Sequence, residues 1–200
     1  VRVSENEDGE AVIMLSVEEA IELWKFCVPA LSIVTGKAED PYFKKAVLPS
    51  VGEVYHWSLL YSVVKPVDVA ASVFRLGGGL RVQLTFSAKV AVPCSRCLEE
   101  TSLAIQAQFS YLYFLRSEKI SSEEDFQVLL DSDRWPESLD LAPQIWESFI
   151  LSLPPKVLCS PDCKGLCPNC GQNLNAETCS CKEEEEDPRL AVLKLYKETF

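Results

Sequence analysis

The stretch Cys159-Ser160-Pro161-Asp162-Cys163-Lys164-Gly165-Leu166-Cys167-Pro168-Asn169-Cys170-Gly171-Gln172-Asn173-Leu174-Asn175-Ala176-Glu177-Thr178-Cys179-Ser180-Cys181 decides how this chain must be held together at its C-terminal end. Six of the nine cysteines lie in it, two more form Cys94-Ser95-Arg96-Cys97, and Cys27 stands alone. So short a run, rich in turn residues, cannot bury a core of its own, so cross-links must order it. Thiolates two residues apart turn onto one ion in a tight loop, with Zn–S bonds near ~2.3 Å. Cys167-Pro168-Asn169-Cys170-Gly171 has this knuckle form, and the glycine after the second cysteine lets the chain reverse with positive φ. A disulfide scaffold is the competing reading. Such scaffolds are usually short and cysteine-dense throughout, whereas residues 98–158 contain no cysteine.

Zinc in a closed structural site takes four ligands, so eight cysteines make two tetrads. The expected partition is Cys167, Cys170, Cys179 and Cys181 in one, and Cys94, Cys97, Cys159 and Cys163 in the other. The first is local; the second staples the upstream pair to the C-terminal segment. Another sharing of the same eight ligands remains open at this point. Each zinc would contribute on the order of 10 kcal/mol to folding, comparable to the whole stability of a typical domain. Cys27 reads as a small buried hydrophobe rather than a ligand.

Around this stretch the chain reads as α+β: an antiparallel sheet packed by a helix, then the zinc segment and a short terminal helix. Residues 1–10 are polar and expected to be disordered. Ser16-Val17-Glu18-Glu19 is a capping box opening a helix that Pro29 should stop. Lys37 to Lys45 reads as loop. Val67, Val69, Ala71 and Val73 alternate along one strand and Val82 to Val92 along the next, with Gly77-Gly78-Gly79 as their turn. No Gly-Lys-Ser/Thr follows the glycines, which excludes a phosphate loop. Leu103 to Tyr113 alternate in a third strand, so Cys94 and Cys97 sit between two long strands. Residues 117–137 read as an acidic connector around Asp125 to Leu130, a solvated loop in preference to a short strand or turn. Asp140 should cap a helix over 140–153, ended by Pro154-Pro155, and Asp187-Pro188 should open a last helix over 187–197. The antiparallel sheet is expected over 59–115, after an N-terminal extension, 1–58, that holds one helix.

Charge bounds the function. The chain carries 19 basic and 30 acidic residues, a net −11, which argues against broad non-specific RNA binding through many phosphate contacts. The charge is uneven. Residues 65–97 hold Lys65, Arg75, Arg81, Lys89 and Arg96 against Asp68 alone. A local basic patch can meet RNA, and an acidic protein can meet basic ribosomal proteins. No apolar run approaches the ~20 residues of a membrane span, and no small-molecule substrate is indicated.

Two signatures carry a resemblance. Val92-Pro93-Cys94-Ser95-Arg96-Cys97-Leu98-Glu99-Glu100 is one. The run from Leu153-Pro154 through the six cysteines, with Asn173-Leu174-Asn175, to Asp187-Pro188-Arg189-Leu190-Ala191 is the other. Together they resemble the YceD family, the large ribosomal RNA subunit accumulation proteins of bacteria and plant organelles, over roughly residues 60–197, which divides the chain into a poorly matched extension, 1–58, and a YceD-like domain, 59–200. The resemblance implies a non-catalytic factor supporting accumulation or processing of 23S-type ribosomal RNA and large-subunit assembly, with that RNA, ribosomal proteins or assembly intermediates as partners. A plant organellar homologue is the expectation. Cysteines in metal-like spacing agree with a reducing compartment: the chloroplast stroma, or alternatively the mitochondrial matrix or bacterial cytoplasm.

Candidate contacts to RNA or a partner are Arg96 and Lys164, on the two cysteine loops, with Arg81 and Lys89 on the outward sheet face. One alternative is a zinc-stabilised protein–protein interaction module that never touches RNA. Another is a thiol oxidoreductase using Cys94-Ser95-Arg96-Cys97, where Arg96 would lower a thiol pKa. Redox pairs of that spacing usually open a helix, and here a strand follows. His56, the sole histidine, lies beside Trp57 in the N-terminal region and reads as a surface or core residue, and no Ser/His/Asp set can be argued around it.

Overall fold

In the computed structural model, residues 2–5, 11–116 and 126–181 are described. The expected helix over 187–197 lies outside them. Alternation builds the sheet. β8 (Gly79–Pro93) buries Leu80, Val82, Leu84, Phe86, Ala88, Val90 and Val92 and turns Arg81, Thr85 and Lys89 to solvent. One edge of β8 pairs residue for residue with β9 (Glu100–Leu115), from Gly79↔Phe114 to Pro93↔Glu100. Its other edge is shared. β7 (Val67–Leu76) takes residues 79–87, and β6 (Leu59–Val63) pairs Ser62↔Ala91 and Val63↔Val90. Beyond β7 lies β4 (Tyr42–Leu48); beyond β6 lie β5 (Gly52–His56), β2 (Ala11–Met14) and β1 (Arg2–Glu5). β10 (Phe126–Leu130) completes nine strands by running parallel to β9. Every other pairing in this sheet is antiparallel.

The turn between β7 and β8 is Gly77-Gly78, with φ 89° at Gly78. Gly79 is glycine for a different reason. A Cβ there would lie 2.6 Å from the Tyr113 carbonyl oxygen and 2.8 Å from the Phe114 ring, so β9 can close on β8 only over a bare backbone.

The helices cover one face. α1 (Val17–Leu23) begins with the expected capping box: Ser16 Oγ accepts from the Glu19 N–H (3.2 Å) and Glu19 Oε2 accepts from the Ser16 N–H (2.8 Å). It ends at Leu23, ahead of Pro29, because the chain turns extended to form β3 (Cys27–Val28), which pairs with β11 (Leu139–Asp140). Pro29 instead precedes α2 (Ala30–Val34). α3 (Ala142–Ser152) falls within the expected span. Asp140 stands one residue before its N-cap, and its Oδ1 accepts from the N–H groups of both Ala142 and Phe26, each at 3.0 Å. That one carboxylate oxygen meets the first turn of α3 and ties it to Phe26, the residue before β3. Trp24 packs edge-on to Trp146 and Phe149, both at 5.3 Å, and Phe149 reaches Phe86 at 6.3 Å. These rings join α1, α3 and the sheet in one core that also holds Phe26, Ile33 and Val54.

Several expectations are corrected by these contacts. Residues 2–5 form a strand rather than a disordered tail. The loop read over 37–45 gives way at Tyr42 to β4, which pairs with β7 along its whole length. The connector contains the short strand that stood as its lesser reading: β10 pairs with the edge that β9 leaves open, from Phe126↔Tyr111 to Leu130↔Leu115. The boundary drawn at residue 58 falls in the two-residue turn between β5 and β6, and residues on both sides of it share the one core. Among the described residues no helix is long and apolar enough to cross a membrane.

Two tyrosines of β9 stand under α3. The Tyr111 hydroxyl meets the buried Ser148 hydroxyl at 2.8 Å, whereas the Tyr113 hydroxyl has no hydrogen-bond partner among the described residues. Burial pushes the Tyr111 phenol up to about 12 and moves Tyr113 in the same direction. Replacing an orphaned buried hydroxyl by hydrogen removes a desolvation cost of about 1–3 kcal/mol. Tyr113→Phe should therefore raise the melting temperature, and a lowered one would reveal a partner for the hydroxyl. The raised phenol pKa values also set an alkaline limit. The unfolded tyrosines lose their protons near pH ~10, so stability should be intact below that pH and fall from there through about 12 as Tyr111 titrates. A denaturation series across this range, with Tyr111→Phe shallower than wild type, checks the assignment.

Candidate metal centres

The Cys94–Cys97 turn closes the β8–β9 hairpin. The Cys94 N–H donates to the Glu99 carbonyl (2.9 Å) and the Leu98 N–H to the Cys94 carbonyl (3.0 Å), which holds Leu98 at φ 62° with its side chain exposed. The segment after α3 docks on this turn. The Ser95 N–H donates to the Val157 carbonyl (2.7 Å), and Ser95 Oγ accepts from the Val157 N–H (3.1 Å). That reciprocal pair sets the register in which Cys159 and Cys163 arrive.

The four sulfurs of Cys94, Cys97, Cys159 and Cys163 then lie within 4.8 Å of one another, as do those of Cys167, Cys170, Cys179 and Cys181. Sulfur separations of 3.8 Å for Cys94–Cys163, 3.6 Å for Cys97–Cys159 and 3.4 Å for Cys167–Cys179 approach the about 3.8 Å that tetrahedral zinc–thiolate bonds require. All nine cysteines are free thiols, and Cys27, on β3, belongs to neither group. The first tetrad is three-quarters buried; in the second only Cys167 is.

Backbone N–H groups and an amide point at these sulfurs, as thiolate ligands need. Cys94 Sγ accepts from the N–H groups of Arg96 (3.5 Å) and Cys159 (3.3 Å), and Cys163 Sγ accepts from Asn175 Nδ2 (3.3 Å). Burial alone would raise the Cys94 thiol, but the N–H groups of Cys97, Arg96 and Cys159 outweigh it and hold it at about 6. The Cys170 and Asn169 N–H groups do the same for Cys167, also at about 6. Their neighbours move the other way. Cys159, through its hydrogen bond to Cys163, and Cys181, through its hydrogen bond to Cys170, are pushed up to about 12. Sulfurs this close cannot all ionise alone; a cation at the centre would take the place of the shared protons.

Gly165 and Asn175 join the two tetrads. At Gly165, φ is +79°, the carbonyl accepts from the Leu174 N–H (2.9 Å), and a Cβ would meet the Arg96 carbonyl oxygen at 3.1 Å. Asn175 belongs to the loop of the second tetrad. Its Oδ1 accepts from the Lys164 N–H (2.8 Å) while its Nδ2 serves a sulfur of the first. Asn175 had no role from sequence alone; its place in the Asn173-Leu174-Asn175 run was the available signal.

The four candidate contacts do not form one patch. Arg81 and Lys89 are eight residues apart on β8, roughly 27 Å along the strand. Lys164 is exposed beside the first tetrad. The Arg96 guanidinium donates to the Cys163 carbonyl at 2.8 Å and so braces the tetrad.

A sheet protein with two cysteine tetrads suited to metal is thus defined. The chain belongs to the YceD family, described as large ribosomal RNA subunit accumulation protein, which matches residues 82–196. Among similar proteins, an uncharacterized protein of Mycobacterium tuberculosis is 30% identical over 130 residues, 64% of this chain and 60% of its own length. The large ribosomal RNA subunit accumulation protein YCED homolog 1, chloroplastic, of Arabidopsis thaliana is 28% identical over 61% of this chain and 46% of its own. The uncharacterized protein YlbN of Bacillus subtilis is 25% identical over 68% and 77%. The chain therefore spans well under two thirds of the plant relative and 60% of the mycobacterial one. No solved structure matches it.

Gly165→Ala places a Cβ in a strained backbone region and against a carbonyl oxygen, while Gly171→Ala, at φ +74° with nothing within 4 Å, adds backbone strain alone. Both should lower stability, Gly171→Ala by about 1 kcal/mol and Gly165→Ala by more. Equal losses in thermal unfolding would show that the Arg96 contact is not tight.

Proposed function

We propose that this chain is a non-catalytic factor that supports accumulation of large-subunit ribosomal RNA and assembly of the large ribosomal subunit. Membership of a family described by that role carries the reading. Its partners are large-subunit ribosomal RNA, ribosomal proteins or assembly intermediates. Its place of work is the chloroplast stroma, which agrees with the chloroplastic relatives; the mitochondrial matrix and the bacterial cytoplasm are the alternatives. The two tetrads hold Zn²⁺ as scaffold: Cys94, Cys97, Cys159 and Cys163 one ion, Cys167, Cys170, Cys179 and Cys181 the other. Four thiolates leave no open position for a water, so the zinc supplies folding energy rather than a nucleophile. Arg81, Lys89 and Lys164 offer charge to a partner, while Arg96 acts first on the tetrad.

Depletion of the protein should lower the ratio of large- to small-subunit ribosomal RNA in its compartment; an unchanged ratio would overturn the reading. Zinc content is read separately. Purified protein should carry two zinc ions per chain, Cys163→Ser and Cys179→Ser one each, and Cys27→Ser two. Loss of zinc in Cys27→Ser, or none in the other two, would break the ligand assignment.

A further inference from the structure

The outward face of the sheet, away from the helices, is hollow. A depression of about 620 Å³ is floored by Ala70, Thr85 and Ser87 and flanked by Lys45 and Val47 of β4. A second, of about 200 Å³, continues from it through the shared residues Asp68, Ser87 and Gln106 and ends between Lys65 and Lys89. Register explains the trough. Val47↔Asp68, Asp68↔Ser87 and Ser87↔Gln106 form one cross-strand row, and Lys45↔Ala70 and Ala70↔Thr85 form the next. Small side chains occupy the middle of both rows, where a solvated sheet face commonly carries long charged ones.

Three lysines and one acid line the trough, +3 against −1, in a chain whose net charge is −11. Lys45 and Lys89 are two strands and four residues apart, roughly 17 Å by ordinary sheet spacings. Between them stand groups that can bond base edges: the Thr85 and Ser87 hydroxyls, the Gln106 amide and the Asp68 carboxylate. Two residues from Lys45 on the same face, Phe43 is 65% exposed, a ring open to stacking. Separated cations, polar groups between them and a free aromatic ring match the backbone, bases and stacking of an unpaired strand.

We propose that this trough binds single-stranded RNA, with Lys45, Lys65 and Lys89 on phosphates and Phe43 stacked on a base. The proposal rests on the ribosomal RNA reading and gives it a contact surface. Charge favours RNA over a protein partner, since a basic ribosomal protein would meet three lysines.

The test is fluorescence anisotropy with a labelled single-stranded oligoribonucleotide of about 12 nucleotides and the zinc-loaded protein. Lys45→Glu/Lys65→Glu/Lys89→Glu should weaken binding at least about tenfold and flatten the log–log salt dependence by about 2, three contacts at ~0.7 each. Lys25→Glu/Lys37→Glu/Lys156→Glu makes the same charge change at exposed positions outside the trough and should leave most of the binding. Phe43→Ala should weaken it about tenfold without changing the salt slope. Unchanged melting temperatures establish that the variants fold. Equal loss in both triple variants, or no binding by wild type, overturns the trough, whichever way the ribosomal RNA ratio in depleted cells falls. Capture of a ribosomal protein that the trough triple variant loses, without oligonucleotide binding, would also overturn it in favour of a protein surface.

Discussion

Four sulfurs from two segments more than sixty residues apart in sequence meet at one end of the β8–β9 hairpin. Much of the C-terminal architecture depends on that convergence. Residues 153–181 contain little regular structure beyond an isolated bridge and have few apolar groups to bury. Their position comes from Ser95 and Val157, from the Arg96 guanidinium on Cys163, and from sulfurs that accept N–H groups across the junction. The hairpin supplies a rigid anchor because β8 and β9 pair without interruption up to the turn itself. The second tetrad is then fixed to the first through Gly165 and Asn175, so order passes outward from the sheet one loop at a time.

The sheet works differently on its two faces. The inner face is a conventional apolar core, closed by α1 and α3 through Trp24, Trp146 and Phe149. The outer face carries small and polar residues over β7, β8 and β9, and β4 borders it. The inner face buries the large apolar side chains, while the outer face leaves Lys45, Thr85 and Lys89 exposed.

The strongest features were legible in the sequence because each follows a local rule. Thiolates in knuckle spacing and a count of eight suggested two tetrads, and the sulfurs converge in that same grouping. Long strict alternation gave β7, β8 and β9, and the box at Ser16 gave the start of α1. What escaped depends on distant partners. β4 and β10 are short, and they are strands because β7 and β9 offer edges to them. The early end of α1 reflects the pairing of β3 with β11, over a hundred residues away. The lack of a match before about residue 60 suggested the boundary at 58, but a resemblance cannot show that Trp24 and Phe149 touch. Lys65 and Lys89 stood in the basic stretch 65–97, but Lys45 reaches the trough only through strand order.

The distance between the halves of the first tetrad has a consequence during synthesis. Cys94 and Cys97 emerge from the ribosome with a hairpin that can form from local contacts, but Cys163 follows Cys94 by 69 residues. At about 5–20 residues per second that interval is several seconds. Throughout it the nascent chain displays two unsatisfied thiols at the end of a β-hairpin, open to oxidation or to a wrong cysteine. The upstream pair must therefore keep its thiols reduced until the downstream pair arrives if the four sulfurs are to converge.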